Sequence, residues 1–414
     1  MSEWVQWLQL ETVEFSRLQK LEVIKCPKLI GDLPKKVPSI RELVLEECQG
    51  VQLEWKGVSS VETLEISGFE SWKEFASELL TLTNLKDLNV KKCSSLLSFP
   101  DGMMHLNNLT DLGVRSCPKL VFPLSVEASH CYVSLKRLYL DGCESLESFP
   151  LGLFPKLQYL KFYECINFET LLIPDEIELK NEISLQFLIF ISCDNMVSFP
   201  CGGLPTPKLC LLWVSSCHKL KALPEQMHTL LPSLQTLILA YCPEIESFPE
   251  GGLPSKLNAL SIRDCKKLVG GWRDWGLQTL PSLTEFTLSG DHESEDVVES
   301  FPEEGLLPSS ITSLVVSYQK NLKSLNKRGL QLLGSLKHMM IWHCPQLESL
   351  PEERLPTSLF VLKIGECRLL TPRCRREEGE DWHKIAQVPI IIMNGEAILD
   401  QVNLGPVDSD VFRW

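Results

Sequence analysis

Residues 85–100 read Leu85-Lys86-Asp87-Leu88-Asn89-Val90-Lys91-Lys92-Cys93-Ser94-Ser95-Leu96-Leu97-Ser98-Phe99-Pro100. Leu85, Leu88 and Val90 stand in the spacing L-x-x-L-x-V; two residues then separate Val90 from Cys93, and two more separate Cys93 from Leu96. The frame returns at Leu234, Leu237, Leu239, Cys242 and Ile245. Its first position occurs fifteen times, at Leu18, Ile40, Val61, Leu85, Leu109, Leu135, Leu157, Leu185, Leu209, Leu234, Leu257, Leu283, Ile311, Leu336 and Leu359. Successive copies begin 21 to 28 residues apart. One copy could arise by chance, but fifteen in phase describe a chain built from one repeated unit.

The spacing matches the leucine-rich repeat. Its L-x-L core alternates, so each copy is a short strand with two aliphatics facing inward. One repeat cannot bury that face alone, whereas stacked repeats bury it in a continuous core. The expected fold is an α/β leucine-rich-repeat solenoid over residues 18–372, with a curved parallel β-sheet on its concave face. Residues 1–17 are an incomplete first repeat, and 373–414 form a capping tail after the last. Phe99-Pro100, Phe149-Pro150, Phe199-Pro200, Phe248-Pro249 and Phe301-Pro302 punctuate the returns, and Gly-Gly-Leu-Pro runs follow at 202–205 and 251–254. Prolines this dense disfavour regular helix, so the convex returns should be mostly irregular or 3₁₀-like.

Twelve of the sixteen cysteines recur once per repeat, from Cys26 to Cys367. That period reads as packing, since Cys is small, tolerates burial and donates weakly. Reduced thiols fit a cytosolic protein. Cys131, Cys201, Cys210 and Cys374 fall outside the ladder and form no CxxC pair, so a zinc site is not expected. Asp291 and Gln319 replace Cys after Leu288 and Val316, and a loop should bulge at 290–300.

Composition narrows the functions. A formal net charge of −14 argues against nucleic acid or an anionic membrane as the main partner. The apolar stretches at 185–191 and 388–393 are too short to span a bilayer. No phosphate-binding loop, dinucleotide fingerprint, zinc-protease motif or nucleophile elbow is present. The eight histidines are scattered without metal spacing. No catalytic, cofactor-binding or metal residue is therefore assigned.

Binding is a different matter. Residues flanking the inward aliphatics point outward on the concave face. The early copies give polar sets such as Asp87, Asn89, Lys91 and Asp111, Gly113, Arg115. The middle copies give Arg137, Tyr139, Asp141; Tyr159, Lys161, Tyr163; Phe187, Ile189, Ile191; Leu211, Trp213, Ser215; and Thr236, Ile238, Ala240. Stacked about 4.8 Å apart, these should make one contiguous apolar and aromatic patch. The fourteenth copy adds His338, Met340 and Trp342. Such a patch binds a foreign protein, docks another domain of the same polypeptide, or is inert; the residues leave all three open.

The Cys-bearing repeat with Phe-Pro-x-Gly-Gly-Leu-Pro returns resembles the C-terminal half of plant coiled-coil, nucleotide-binding, leucine-rich-repeat disease-resistance proteins. Trp4-Val5-Gln6-Trp7, Phe15 to Leu21 and Cys26-Pro27-Lys28-Leu29 are similar to the opening of that family's later repeats. Glu378-Gly379-Glu380-Asp381-Trp382-His383-Lys384-Ile385-Ala386, then Pro389 and Ile390 to Ile392, is similar to its closing segment. The resemblance implies intracellular, cytoplasmic or nucleo-cytoplasmic sensing of pathogen effectors or modified host proteins. It also implies restraint of a nucleotide-binding switch. ADP and ATP would belong only to an upstream nucleotide-binding domain, because no residue here matches its phosphate loop. Met227-His228-Thr229 lacks the Asp of the family's switch motif. The alternative is a substrate-recruiting subunit of an F-box-type ubiquitin ligase, whose returns are more helical.

Overall fold

The structure is a computed structural model of the 414-residue chain. It describes residues 5, 15–29, 31–32, 37–48, 51–52, 58–69, 79–122, 131–173, 183–290, 298–352 and 355–400. Most of 1–17 and of the expected bulge at 290–300 lies outside them. The chain divides into two compact units, Met1–Gln226 and Met227–Trp414.

In the first unit the strands of the main sheet are β1 Lys20–Ile24, β2 Glu42–Glu46, β3 Thr63–Ser67, β4 Asp87–Lys91, β5 Asp111–Arg115, β6 Arg137–Asp141, β7 Tyr159–Tyr163, β8 Phe187–Ile191 and β9 Leu211–Ser215. In the second they are β10 Thr236–Ala240, β11 Ala259–Arg263, β12 Glu285–Ser289, β13 Ser313–Ser317, β14 His338–Trp342, β15 Val361–Gly365, β16 Ile390–Met393 and β17 Glu396–Asp400. Strands β1 to β15 fall one per copy on the fifteen repeats. Within each unit successive strands pair parallel and in register, as Leu88↔Leu112 and Val90↔Val114 do. The tail adds β16 parallel to β15 and β17 antiparallel to β16.

The alternation of sequence becomes alternation of burial. Leu88 and Val90 are fully buried while Asp87, Asn89 and Lys91 are half-buried. The residue after each strand of the first unit is left-handed: Lys25, Glu47, Lys92, Ser116, Glu164, Ser192 and Ser216 at φ 51–56°, Gly68 and Gly142 at 74° and 63°. This turn sends the chain inward while its N–H still bonds the neighbouring strand. The Glu46 carbonyl takes the Lys25 amide at 2.8 Å and the Cys48 thiol at 3.1 Å. Both lone pairs of one oxygen are thus used, and the Cys reading gains a mechanism. Phe69 stands in the Cys place after β3, a third departure beside Asp291 and Gln319.

The returns are non-helical in the main. The helical pieces named in the structure are three to five residues long, such as 151–153, 266–270 and 327–331. Short parallel pairs join 148–150 to 170–172 and 300–301 to 324–325. Phenylalanines of the returns and strands together fill the first unit's interior: Phe149 stacks on Phe154 at 4.9 Å, and the inward strand residues Phe162 and Phe190 stack at 5.1 Å. Aromatic burial therefore supplies the packing that longer helices would otherwise give.

Candidate recognition face

Strands β6 to β9 present three rows on the outward face of the first unit. The middle row is Tyr139, Lys161, Ile189 and Trp213, each directly opposite the next. Beside it run Arg137, Tyr159, Phe187 and Leu211, and on the other side Asp141, Tyr163, Ile191 and Ser215. Tyr139 and Tyr159 lie 4.9 Å apart between ring centroids, and Tyr159 and Phe187 6.0 Å. Tyr139 and Phe187 are each 38% exposed. Burial raises the Tyr139 and Tyr159 phenols, so both remain protonated donors at neutral pH.

Ile189 departs from expectation. It is 6% exposed, because Lys161 and Trp213 flank it in register and cover a short branched side chain. It is a floor to the patch rather than part of its exposed surface. Ala240, also placed outward by the alternation, is 7% exposed. The indole N–H of Trp213 is buried with no acceptor among the described residues.

Charge on the preceding strands is compensated across the sheet. Lys91 pairs with Glu65 at 2.7 Å, Arg115 with Asp141 at 2.7 Å, and Arg137 with Asp111. Arg137 thus borders the ring cluster with its charge already engaged.

The second unit carries the remaining expected residues. Ile238 lies on β10 opposite Ser261. It belongs to a different unit from Tyr139 to Trp213 and is described with its own. His338, Met340 and Trp342 line one side of β14. Met340 sits between Val315 and Lys363, and a Cβ on Gly365 would collide with the Trp342 ring. Burial, followed by Lys337 and Lys363, lowers the His338 pKa, leaving it neutral at pH 7. Gly365 and Lys363 were not singled out by sequence; pairing the strands residue by residue reveals them.

No protein-family model matches the chain. Over 279 residues, 67% of this chain, it is 40% identical to a candidate disease resistance protein of Arabidopsis thaliana, of which it covers 19%. Over 240 residues, 47% of this chain, it is 29% identical to the Arabidopsis thaliana protein suppressor of npr1-1, constitutive 1, of which it covers 15%. The chain thus spans less than a fifth of the length of these curated relatives. Among solved structures, a leucine-rich repeat protein of Bacteroides thetaiotaomicron has 14% identity and a TM-score of 0.47, covering 86% of this chain and 44% of that one. The chain is a leucine-rich-repeat protein by its repeats and its stacked strands, and over 67% of its length it is similar to a plant disease resistance protein.

Proposed function

We propose that this chain is the non-enzymatic recognition segment of an intracellular plant immune receptor and that it binds protein on the outward face of β6 to β9. The observation that carries the reading is the contiguous surface of Tyr139, Tyr159 and Phe187, in a chain related to a candidate disease resistance protein. Contiguous exposed aromatic surface is characteristic of interaction sites. The bound protein is a pathogen effector, a modified host protein or the receptor's own nucleotide-binding domain, which the repeats hold inactive. ADP and ATP are cofactors of that domain, and no residue of this chain is assigned to them. The ladder of buried thiols suits a reducing compartment, in keeping with a cytoplasmic receptor. Returns with helical pieces of three to five residues favour this reading over a ubiquitin-ligase recruiting subunit.

The test is a photocrosslinking side chain at position 139 or 187, in plant cells with and without pathogen challenge, with position 256 on a return as control. A defined protein adduct at 139 and 187 but not at 256 is the expected result. No adduct, or the same adducts at all three positions, would refute the assignment of the face.

A further inference from the structure

Lys161 breaks the charge pattern of its sheet. On β3 to β6, lysines and arginines meet carboxylates on an adjacent strand, as Lys91 does with Glu65, Arg115 with Asp141 and Arg137 with Asp111. Lys161 is opposite Tyr139 on one side and Ile189 on the other. It makes no ion pair among the described residues. Its Nζ lies instead 5.3 Å from the centroid of the Tyr163 ring. That contact orients the ammonium but gives its three N–H groups no acceptor. While the face is open, water serves them. Covering the face with apolar groups alone would strand a buried, unpaired cation, which is strongly unfavourable.

We propose that the occupant of this face is a protein segment presenting an aspartate or glutamate flanked by apolar side chains, with its carboxylate held by Lys161. The inference rests on reading the face as a protein-binding surface. The carboxylate answers the charge of Lys161, and the apolar neighbours cover Tyr159 and Phe187. A phosphate group would call for a cluster of cations, but the nearby Arg115 and Arg137 are already engaged by Asp141 and Asp111. A monoanion fits the charge of Lys161, which has no ion-pair partner among the described residues. In a chain of net charge −14, a local cation beside exposed aromatic surface favours an acidic segment over a basic one.

The experiment uses the full chain and a displayed library of random dodecapeptides, counter-selected on Phe187→Ser and, independently, on Tyr139→Ser chains. Circular dichroism confirms that each variant is folded. Peptides retained by the native face alone are then measured against Lys161→Gln and Lys161→Arg. The expected peptides share an acidic residue beside aliphatic or aromatic ones. Lys161→Gln weakens them about tenfold, the scale of a charge-assisted bond, and Lys161→Arg largely restores them. Replacing the peptide's acid by its amide should then have little further effect on the Lys161→Gln chain. Face-dependent peptides without acidic enrichment, indifferent to Lys161→Gln, would overturn the acidic occupant and leave protein recognition intact. Failure to recover any peptide sensitive to position 187 or 139 would overturn both.

Discussion

The buried carboxylate of Asp381 and the buried ammonium of Lys384, 3.0 Å apart, grip the two backbone groups of a single residue, Leu350. Asp381 accepts from the Leu350 amide at 2.9 Å and Lys384 donates to its carbonyl at 2.9 Å. Arg373 adds a contact to Asp381 at 3.2 Å. A return that has no helix or sheet partner for these groups is thereby satisfied from the tail, and the tail is fastened to the last repeats. Removing one partner leaves the other charge buried and unpaired. Asp381→Ala should therefore cost about 3–5 kcal/mol, measured by urea unfolding. A loss below about 1 kcal/mol would show that water replaces the carboxylate without penalty.

The same clamp has a pH signature. Burial alone would raise the Asp381 carboxyl, but hydrogen bonds from Arg373, the Leu350 amide and Lys384 outweigh it and hold the pKa below the usual carboxylate range. A depressed folded pKa stabilises fully above the unfolded value of about 3.9, and the contribution is lost as pH falls through the folded value. The stability gap between the native chain and Asp381→Asn should be constant from neutral pH down to about 5 and should close below about pH 4. A gap unchanged down to pH 3 contradicts the ion pairing.

Trp342 depends on what its neighbour lacks. Its ring occupies the space a Cβ would take on Gly365. Gly365→Ala should force the indole off its rotamer, cost about 1–3 kcal/mol as overpacking does, and shift tryptophan emission. Combining it with Trp342→Ala should return most of that loss. Additive losses in the double variant would mean the two residues do not touch.

The left-handed turns invite a paired substitution. At Gly142, φ is 63°; at Ser116, one repeat earlier, it is 53°. A non-glycine residue in this region costs roughly 1–2 kcal/mol, so Gly142→Val should destabilise by about that much. Ser116→Gly should be neutral to stabilising by up to about 1 kcal/mol, once the greater freedom of the unfolded chain is subtracted. Thermal denaturation of the two variants decides, and equal losses in both would contradict the account.

Trp213 carries a buried indole N–H with no acceptor among the described residues, a cost of about 1–3 kcal/mol. Trp213→Phe removes the orphan donor but also part of the ring area, so the two effects offset and the melting temperature should change little. A clear fall would mean the N–H is bonded in solution.

Most of the architecture was legible because the repeat writes each strand in the same two letters. Leu88 and Val90, or Leu237 and Leu239, announce an inward pair, and the density of Phe-Pro steps announces returns without long helices. What escaped reading depends on neighbours distant in sequence. Ile189 looks outward by alternation, yet Lys161 and Trp213 cover it from strands that begin 28 residues earlier and 24 later. Nothing in the sequence ties Asp381 and Lys384 to Leu350, whose amide and carbonyl they bind from more than thirty residues away. The division of the chain at residue 226 has no mark in the repeat, since Leu209 and Leu234 open ordinary copies.

The thiol ladder has a practical consequence. Cys201 is exposed, whereas Cys93, Cys117 and Cys217 are fully enclosed, and burial pushes the Cys374 thiol up to about 12. An alkylating reagent should therefore mark Cys201 at once and the ladder only as individual repeats open. Because the ladder thiols sit one per copy along most of the chain, the order in which they are modified maps where the stack frays first. The native sequence thus already carries a position-by-position gauge of its own local opening.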